Sequence, residues 1–526
     1  MCGIIAVLNP MVTPSTIIDN FKKGQHRGPD HSSFEIINNS VWMGFHRLAI
    51  NGLTPISNQP FYIDGIYLVC NGEIYNYKEL YAEYNIQPET ESDCEVIIHL
   101  YKQFGIYETM KIINASECAF VLYDSTTDCT YAVRDTYGVR PLYHAILGTM
   151  HIFASELKMI NDLHITTVHH VIPATITTFH RGELKDVHYY THLSYFSNMV
   201  DKIDDVCRDI HDKLYKCIKR RVVTTDRPIA CLLSGGLDSS IVTAVVKHVR
   251  DEMGVTEPLE TYSIGLEGAE DLKYATIMAE FLGTKHTNII VTEEDFFNAI
   301  PETIYKLESY DTTSVRASVG NIMVCKEISK RSQAKVIFNG DGSDEVTGGY
   351  LYMKKCPDPY EFDKECRRLV QNIHMFDALR SDRGPATNGL EARTPFLDPE
   401  FVDWYLMIPP EIRFTPHCEK LLLRKAFESY LPLCISQRTK EAFSDGVSSV
   451  KRSWYQIIQE KIPMGMNLET TNMFNPPSTP EQRYYRMIFD QYYANMSNVV
   501  PYMWMPKYTT TTDCSARTLE HYQIEK

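Results

Sequence analysis

The chain has 526 residues, enough for two large domains or, at about 150 residues each, three to four ordinary ones. Apolar residues make up 44% and charged residues 23%, with 33 Tyr and 22 Phe, which excludes a disordered chain and supplies material for sizeable cores. The formal charge of −15 argues against nucleic-acid partners, and no run approaches the ~18 apolar residues of a membrane span. The fourteen cysteines include no C-x-x-C pair and no metal-like spacing, so reduced thiols in a cytoplasmic setting are expected. Met1 to Leu8 is apolar but short, without the basic segment and cleavage site of a secretory signal.

The first ~190 residues read as strand-rich. Short apolar runs separated by turn signals predict strands at Ile4–Leu8, Val41–Phe45, Ile66–Cys70, Ala119–Tyr123, Tyr131–Arg134, His151–Ala154 and Ala174–Phe179. A helical period over Glu91–Gln103 aligns Val96, Ile97, Leu100 and Phe104 on one face, so this part is α+β. From about Val200 the pattern changes. A helix over Val206–Val222 precedes a buried strand at Ile229–Leu233, a Gly-rich loop and a helix from Ser240 to Val249. Strands at Thr261–Leu266, Asn288–Val291 and Lys335–Asn339 follow, with a helix at Leu272–Leu282. This alternation predicts an α/β doubly wound parallel sheet with ligands at the carboxyl ends of its strands. Residues 360–430 read as helical, and the Tyr-rich tail beyond Pro476 yields no pattern.

The loop Ser234-Gly235-Gly236-Leu237-Asp238-Ser239-Ser240 follows a strand and opens a helix. Two glycines let the backbone curl around an anion, and the helix start offers unpaired N–H groups and partial positive charge. Asp238 would repel bare phosphate, so it fits as a partner of Mg²⁺ on a nucleotide. No G-x-x-x-x-G-K-[ST] loop occurs, so the cradle suits cleavage of ATP to AMP and pyrophosphate rather than γ-phosphoryl transfer. Taken alone, the same spacing also suits a Ser/Gly turn capped by an aspartate. A second loop carries Asp341, Asp344 and Glu345 within five positions, which calls for a cation among them, Mg²⁺ or an amine; by itself it could equally be a solvated acidic loop.

Near the start, Cys2 becomes the first residue once Met1 is removed. Its α-amine, of pKa near about 8, can then serve as general base for its own thiol. A small residue buried in a strand is the plain alternative. Arg47 suits an α-carboxylate, Glu73 or Asp93 an α-ammonium, and Asn71 with the Gly72 N–H an oxyanion. Sequence alone does not bring these together.

These motifs, in this order, resemble the two-domain glutamine-hydrolysing asparagine synthetases. The resemblance rests on Met1-Cys2-Gly3-Ile4, His26-Arg27-Gly28-Pro29-Asp30, Arg47-Leu48-Ala49-Ile50, Asn71-Gly72-Glu73, Ser92-Asp93, the Ser234 loop, Tyr310 to Ser318, the Asp341 loop, Gly389 to Asp398, Arg438 to Gly446 and Asp513 to Leu519, and covers nearly the whole chain. It implies an N-terminal-nucleophile αββα sandwich over 2–190, a class II glutamine amidotransferase. It also implies an ATP-pyrophosphatase-type synthetase with a helical C-terminal part over 205–526. Cys2 would be the nucleophile, with glutamine held by Arg47, Leu48, Ala49, Ile50, Asn51, Asn71, Gly72, Glu73 and Asp93. Leu233, Ser234, Gly235, Gly236, Asp238, Ser239, Ile264, Asn339 and Gly340 correspond to the ATP site, with Mg²⁺ at Asp238. Thr313 and Arg316 fall at the aspartyl intermediate, and Asp341 and Lys440 among the catalytic groups. Substrates would be glutamine, aspartate and ATP. The oligomeric state is left open, a homodimer included. Many relatives carry Glu where Asp341 stands, and often Val-Asp where Asn51-Gly52 stands. Another amide-forming synthetase with both domains, or a tRNA-modifying ATP pyrophosphatase, is the competing reading; intact Cys2 speaks against lactam-forming types and the acidic charge against RNA.

Overall fold

A computed structural model describes residues 1–113, 116–165, 167–197, 202–463 and 473–523. The N-terminal strands are β1 (Gly3–Leu8), β2 (His31–Ile36), β3 (Val41–Arg47), β4 (Phe61–Ile63), β5 (Ile66–Glu73), β6 (Glu117–Asp124), β7 (Cys129–Arg134), β8 (Tyr143–Leu147), β9 (Met150–Ala154), β10 (Thr167–His170), β11 (Thr175–His180) and β12 (Glu183–Tyr189). They form two six-stranded sheets ordered β10-β8-β9-β1-β3-β2 and β12-β11-β7-β6-β5-β4. β1 explains the layering. Ile4, Ala6 and Leu8 meet Val69, Ala119 and Val121 of the other sheet, whereas Ile5 and Val7 on the opposite face pack on Ile17 and Phe21 of the helix Pro14–Phe21. A strand covered on both faces needs apolar residues at every position, hence the unbroken run GIIAVL. The second sheet is covered by Val96, Ile97 and Leu100 of the helix Val96–Ile112, completing an αββα sandwich.

All seven expected strands form. β2, β4, β8, β10 and β12 went unread; β2 and β12 lie at sheet edges and are largely exposed, so no apolar alternation marks them. Phe104 is a correction: it is exposed, because Gly105 adopts φ +73° and breaks the helical phase next to it.

The second half holds β13 (Ile229–Leu232), β14 (Glu260–Leu266), β15 (Lys285–Val291), β16 (Val336–Phe338) and β17 (Glu391–Arg393), all parallel, ordered β15-β14-β13-β16-β17. The chain leaves β13 toward β14 on one side and later returns to β16 on the other. The carboxyl ends of β13 and β16 therefore flank a topological switch point, the usual ligand crevice of such sheets. The Ser234 and Gly340 loops leave from these two ends. β17 interrupts the segment read as helical; three residues, two of them charged, carry no periodicity. The unread tail contributes the helix Pro480–Tyr492.

The two halves meet over buried charge. Arg27 donates to the Cys2 carbonyl (2.8 Å), Glu156 (3.0 Å) and Asp382 (2.7 and 3.0 Å). Arg383, next along the helix Asp377–Ala386, reaches Glu156 of the first half (3.3 Å) while Glu308 holds it from its own half, and Arg221, held by Asp398 of its own half, reaches Glu117 of β6. These groups are essentially inaccessible to solvent. Leu48, Ile50, Tyr137 and Val139 join the apolar core of the second half beside them.

Candidate active sites

The N-terminal site is assembled at the ends of β1, β3 and β5. Cys2 is part-buried, with Sγ 3.7 Å from the Leu48 carbonyl, and burial raises its thiol pKa. Met1 is enclosed beside Ala386 and Ala392, and its amine lies 3.8 Å from Glu391. Asn71 is fully buried at the end of β5, and neither its amide nitrogen nor its amide oxygen has a hydrogen-bond partner among the described residues. An orphaned amide in such a place is costly unless a ligand completes it. Glu73 accepts from the Asn51 amide (2.6 Å), and Asp93 accepts from the Ile74 N–H (2.7 Å). Both carboxyls are buried: burial first, then Asp93 and Glu391, hold Glu73 well above its ordinary pKa, and burial pushes Asp93 to about 6. Two crowded, desolvated carboxyls favour an incoming ammonium. If Asp93 must be ionised to hold the glutamine ammonium, the fall of kcat/KM for glutamine with decreasing pH that the Cys2 amine sets should steepen as pH drops through about 6. A profile of unchanged slope from pH 7 to 5 in the glutaminase assay would exclude that role.

Arg47, expected at the glutamine α-carboxylate, has loop partners on the protein side. Its guanidinium donates to the carbonyls of Thr54 (2.8 Å), Asn51 (3.4 Å) and Gly52 and to the Asn58 side chain (2.8 Å). It braces the 51–58 loop from within. Ala49 is fixed by Asp30 and Arg227, and Leu48 and Ile50 point into the shared core.

The second site is a cavity at the switch point. It is lined by Leu233, Ser234, Gly236, Asp238, Ser239, Ile264, Asn339, Gly340, Asp341, Thr313 and Lys440, together with Asp344, Glu345, Tyr350, Asp377 and Arg380. Gly235 does not line it. At φ +69° it turns the loop, and a Cβ there would stand 2.3 Å from the Tyr274 backbone, so glycine lets the loop sit against the helix Glu270–Leu282. Gly340 likewise lets the two loops touch, since its Cβ would come 2.8 Å from the Ser239 nitrogen.

One end of the cavity is ionic. Lys420 Nζ lies 2.6 Å from Asp238 and 2.5 Å from Asp344, and Lys440 Nζ lies 2.5 Å from Asp344 and 3.8 Å from Asp238. Ser343 also donates to Asp238 (2.8 Å). Burial alone would raise the Asp344 carboxyl; Lys420 and Lys440 more than reverse this and hold it below its ordinary pKa. At the other end Arg380 bridges Asp341 (2.9 Å) and Asp377 (2.8 Å). The Tyr350 hydroxyl lies 2.5 Å from Glu345 and 2.7 Å from Asp377. Burial, then Asp377, raises Glu345 well above the carboxylate range; burial also opposes ionisation of Asp377, but Arg380 outweighs it and keeps Asp377 low, so Glu345 keeps a proton beside an ionised Asp377. Burial raises the Asp341 carboxyl, with Arg380 opposing it.

Arg316 departs from expectation. Along the helix Thr312–Arg331, residues Thr313, Ala317, Asn321 and Val324 share the face that lines the cavity, which turns Arg316 onto the neighbouring face. There it pairs with Glu481 (2.6 Å) and Asp513 (2.8 Å).

A family profile described as Asparagine synthase matches residues 209–360 and 355–478, and one described as Glutamine amidotransferase domain matches residues 1–198. The chain is 38% identical to the proteins named "Asparagine synthetase [glutamine-hydrolyzing]" of Gallus gallus and Homo sapiens, over 99% of this chain and 99% of theirs. The chain belongs to the glutamine-hydrolysing asparagine synthetase family. Among solved structures, the glutamine phosphoribosylpyrophosphate amidotransferase from B. subtilis covers 55% of this chain and 81% of its own, at 16% identity and a TM-score of 0.34.

Within this asparagine synthetase family member, Lys420, Arg380 and Asp377 were not foreseen from sequence. Lys420 stands in no motif; its place is set by a left-handed turn (φ +56°) that sequence does not announce for lysine. Arg380 and Asp377 had a faint signal: the stretch DALRSDRGPA puts Asp or Arg at four of ten positions, yet every residue from Ala378 to Ala386 is buried. Buried charge on a helix requires partners, and here they are the cavity and the interface. The cations that the acidic 341–345 loop called for are the side chains of Arg380, Lys420 and Lys440.

Proposed function

We infer that the protein makes asparagine from aspartate, with ATP as activator and glutamine as nitrogen donor, its two sites being a glutaminase over 2–190 and a synthetase over 205–526. The observation that carries the reading is the polarity of the switch-point cavity. Its Lys440 end, with Lys420 buried behind Asp238 and Asp344, suits a pyrophosphate, and its Arg380–Asp377 end suits an amino acid.

In the N-terminal site, the freed amine of Cys2 takes the thiol proton once Met1 has been removed, and the sulfur attacks the glutamine amide carbon. Asn71 donates to the oxyanion that forms. Collapse expels ammonia and leaves a γ-glutamyl thioester, which water hydrolyses to glutamate. Glu73 and Asp93 hold the substrate ammonium.

In the synthetase site, a β-carboxylate oxygen of aspartate attacks the α-phosphorus of ATP, and pyrophosphate leaves. Lys420 and Lys440 neutralise the charge that builds on it. Arg380 suits the α-carboxylate of aspartate and Asp377 its α-ammonium. The carboxylate pair Asp238 and Asp344, already gathered on one cation, fits Mg²⁺, which takes one or two protein carboxylates and completes its shell with phosphate oxygens. When bound, the ion would screen the phosphates and lower the charge on the departing pyrophosphate. Ammonia then attacks the acyl carbon, Asp341 accepts a proton, and AMP leaves.

The fourteen cysteines are all free, which supports a reducing, cytoplasmic setting, and no helix among the described residues is long and apolar enough to cross a membrane. Incubation with ATP, Mg²⁺ and aspartate tests the reading. AMP, pyrophosphate and asparagine should appear in equal amounts with either glutamine or ammonia, and ADP in place of AMP would overturn it.

A further inference from the structure

Lys440 sits in the stretch 438–442, which belongs to neither helix nor strand. No ladder of backbone hydrogen bonds sets its height over the cavity, so side-chain tethers must do so. On one flank the Glu419 carboxylate accepts from the Lys440 N–H (3.0 Å), and Arg438 pairs with Asp271 (2.7 Å). On the other flank the tether is the C-terminal segment. Arg517 donates through Nε to Glu441 (2.7 Å) and through Nη1 to the Ser449 carbonyl (2.7 Å). The Tyr522 hydroxyl donates to the same Glu441 oxygen (2.6 Å). Two residues before Arg517, Ser515 and the Ala516 N–H donate to Asp445 (2.6 and 3.0 Å).

The segment is itself anchored. Asp513 pairs with Arg316, which Glu481 holds from the helix Pro480–Tyr492. Arg316, Glu481, Asp445 and Arg517 are all nearly inaccessible to solvent, so these charge-assisted bonds operate where water does not compete. Arg517 thus joins a rigid helix pair to the residue adjacent to Lys440.

We propose that Arg517 is a positioning residue for the synthetase half-reaction, and that the C-terminal segment sets where Lys440 meets the phosphate chain of ATP. The proposal rests on the role read above for Lys440. Arg517 does not line the cavity, and its effect passes through Glu441.

The test is steady-state kinetics of the full chain with ammonia as donor, varying ATP and aspartate separately, beside ATP-independent glutamine hydrolysis. Arg517→Met should lower kcat/KM for ATP roughly tenfold, with KM for aspartate and glutamine hydrolysis unchanged. Arg517→Lys, which keeps the charge but loses the planar fork, should recover part of the loss. Wild-type ATP kinetics in Arg517→Met, or an equal loss for ATP, aspartate and glutamine hydrolysis, would overturn the proposal. Should Arg517→Met fail to fold, Tyr522→Phe takes its place. It removes the second donor to Glu441 and must show a smaller loss confined to ATP; unchanged ATP kinetics would sink the idea. Lys440→Met separates the two levels of the argument: normal ATP kinetics in that variant would refute the role of Lys440 itself, whereas a defect there without one at Arg517 refutes only the tether.

Discussion

Replacing Cys2 with alanine is expected to abolish asparagine formation from glutamine, by at least about 10³-fold, while formation from ammonia continues at the normal rate. No other thiol can take over. Cys70, Cys94 and Cys118 are buried in the core between the second sheet and its helices, and burial of Cys118 puts its pKa well above the ordinary thiol range. The substitution disturbs little else, because the Cys2 sulfur makes one weak 3.7 Å hydrogen bond to a carbonyl and packs only at the margin of the core between the sheets. The Arg27 bond to the Cys2 backbone survives, so the contact between the halves stays in place. Separate assays with each donor decide the matter; persistent glutamine-dependent synthesis would remove the thiol from the mechanism.

Asp238→Ala should stop synthesis from both donors, by roughly 10²–10³-fold or more, and spare glutamine hydrolysis. Asp238 holds three groups at once: Lys420, the Ser343 hydroxyl and, more distantly, Lys440. Without it Lys420 keeps only Asp344 and the Ser343 hydroxyl (3.2 Å), and the carboxylate pair suited to a divalent cation is broken. Glutamine hydrolysis is read on the other two sheets and serves as an internal check that the variant has folded. Ammonia-dependent turnover at the normal rate would show that the Ser234 loop is only a turn.

Much of this architecture was legible because its signals are local. The strand-loop-helix around Ser234 is written in seven consecutive residues, and the apolar run of β1 declares a strand with both faces covered. The cavity was legible where its wall comes from those loops. It was illegible where distant chain supplies the wall or backs it: Arg380 and Asp377 on the wall and Lys420 behind it arrive from segments whose sequences carry charge but no spacing rule. Arg316 shows the converse. Its motif was visible and its proximity to the cavity correct, but a step of three along a helix turned its side chain to the neighbouring face. Arg47 was expected to meet substrate, and the partners the fold gives its guanidinium are those of the loop beside Cys2. In both cases the sequence specifies a guanidinium and the tertiary environment decides what it binds.

The buried ion pairs between the halves carry a consequence for inheritance. Severed near residue 200, each fragment would surface with buried charge that has lost part of its compensation: Arg27 and Asp382 would lose each other, as would Glu117 and Arg221, although Glu156, Arg140 and Asp398 would stay beside them. Losing one partner of such a pair costs about 3–5 kcal/mol, a large share of a fold's net stability. Neither catalyst therefore owns a finished exterior, and a gene split that separated them would have to rebuild that face before either piece could be passed on alone.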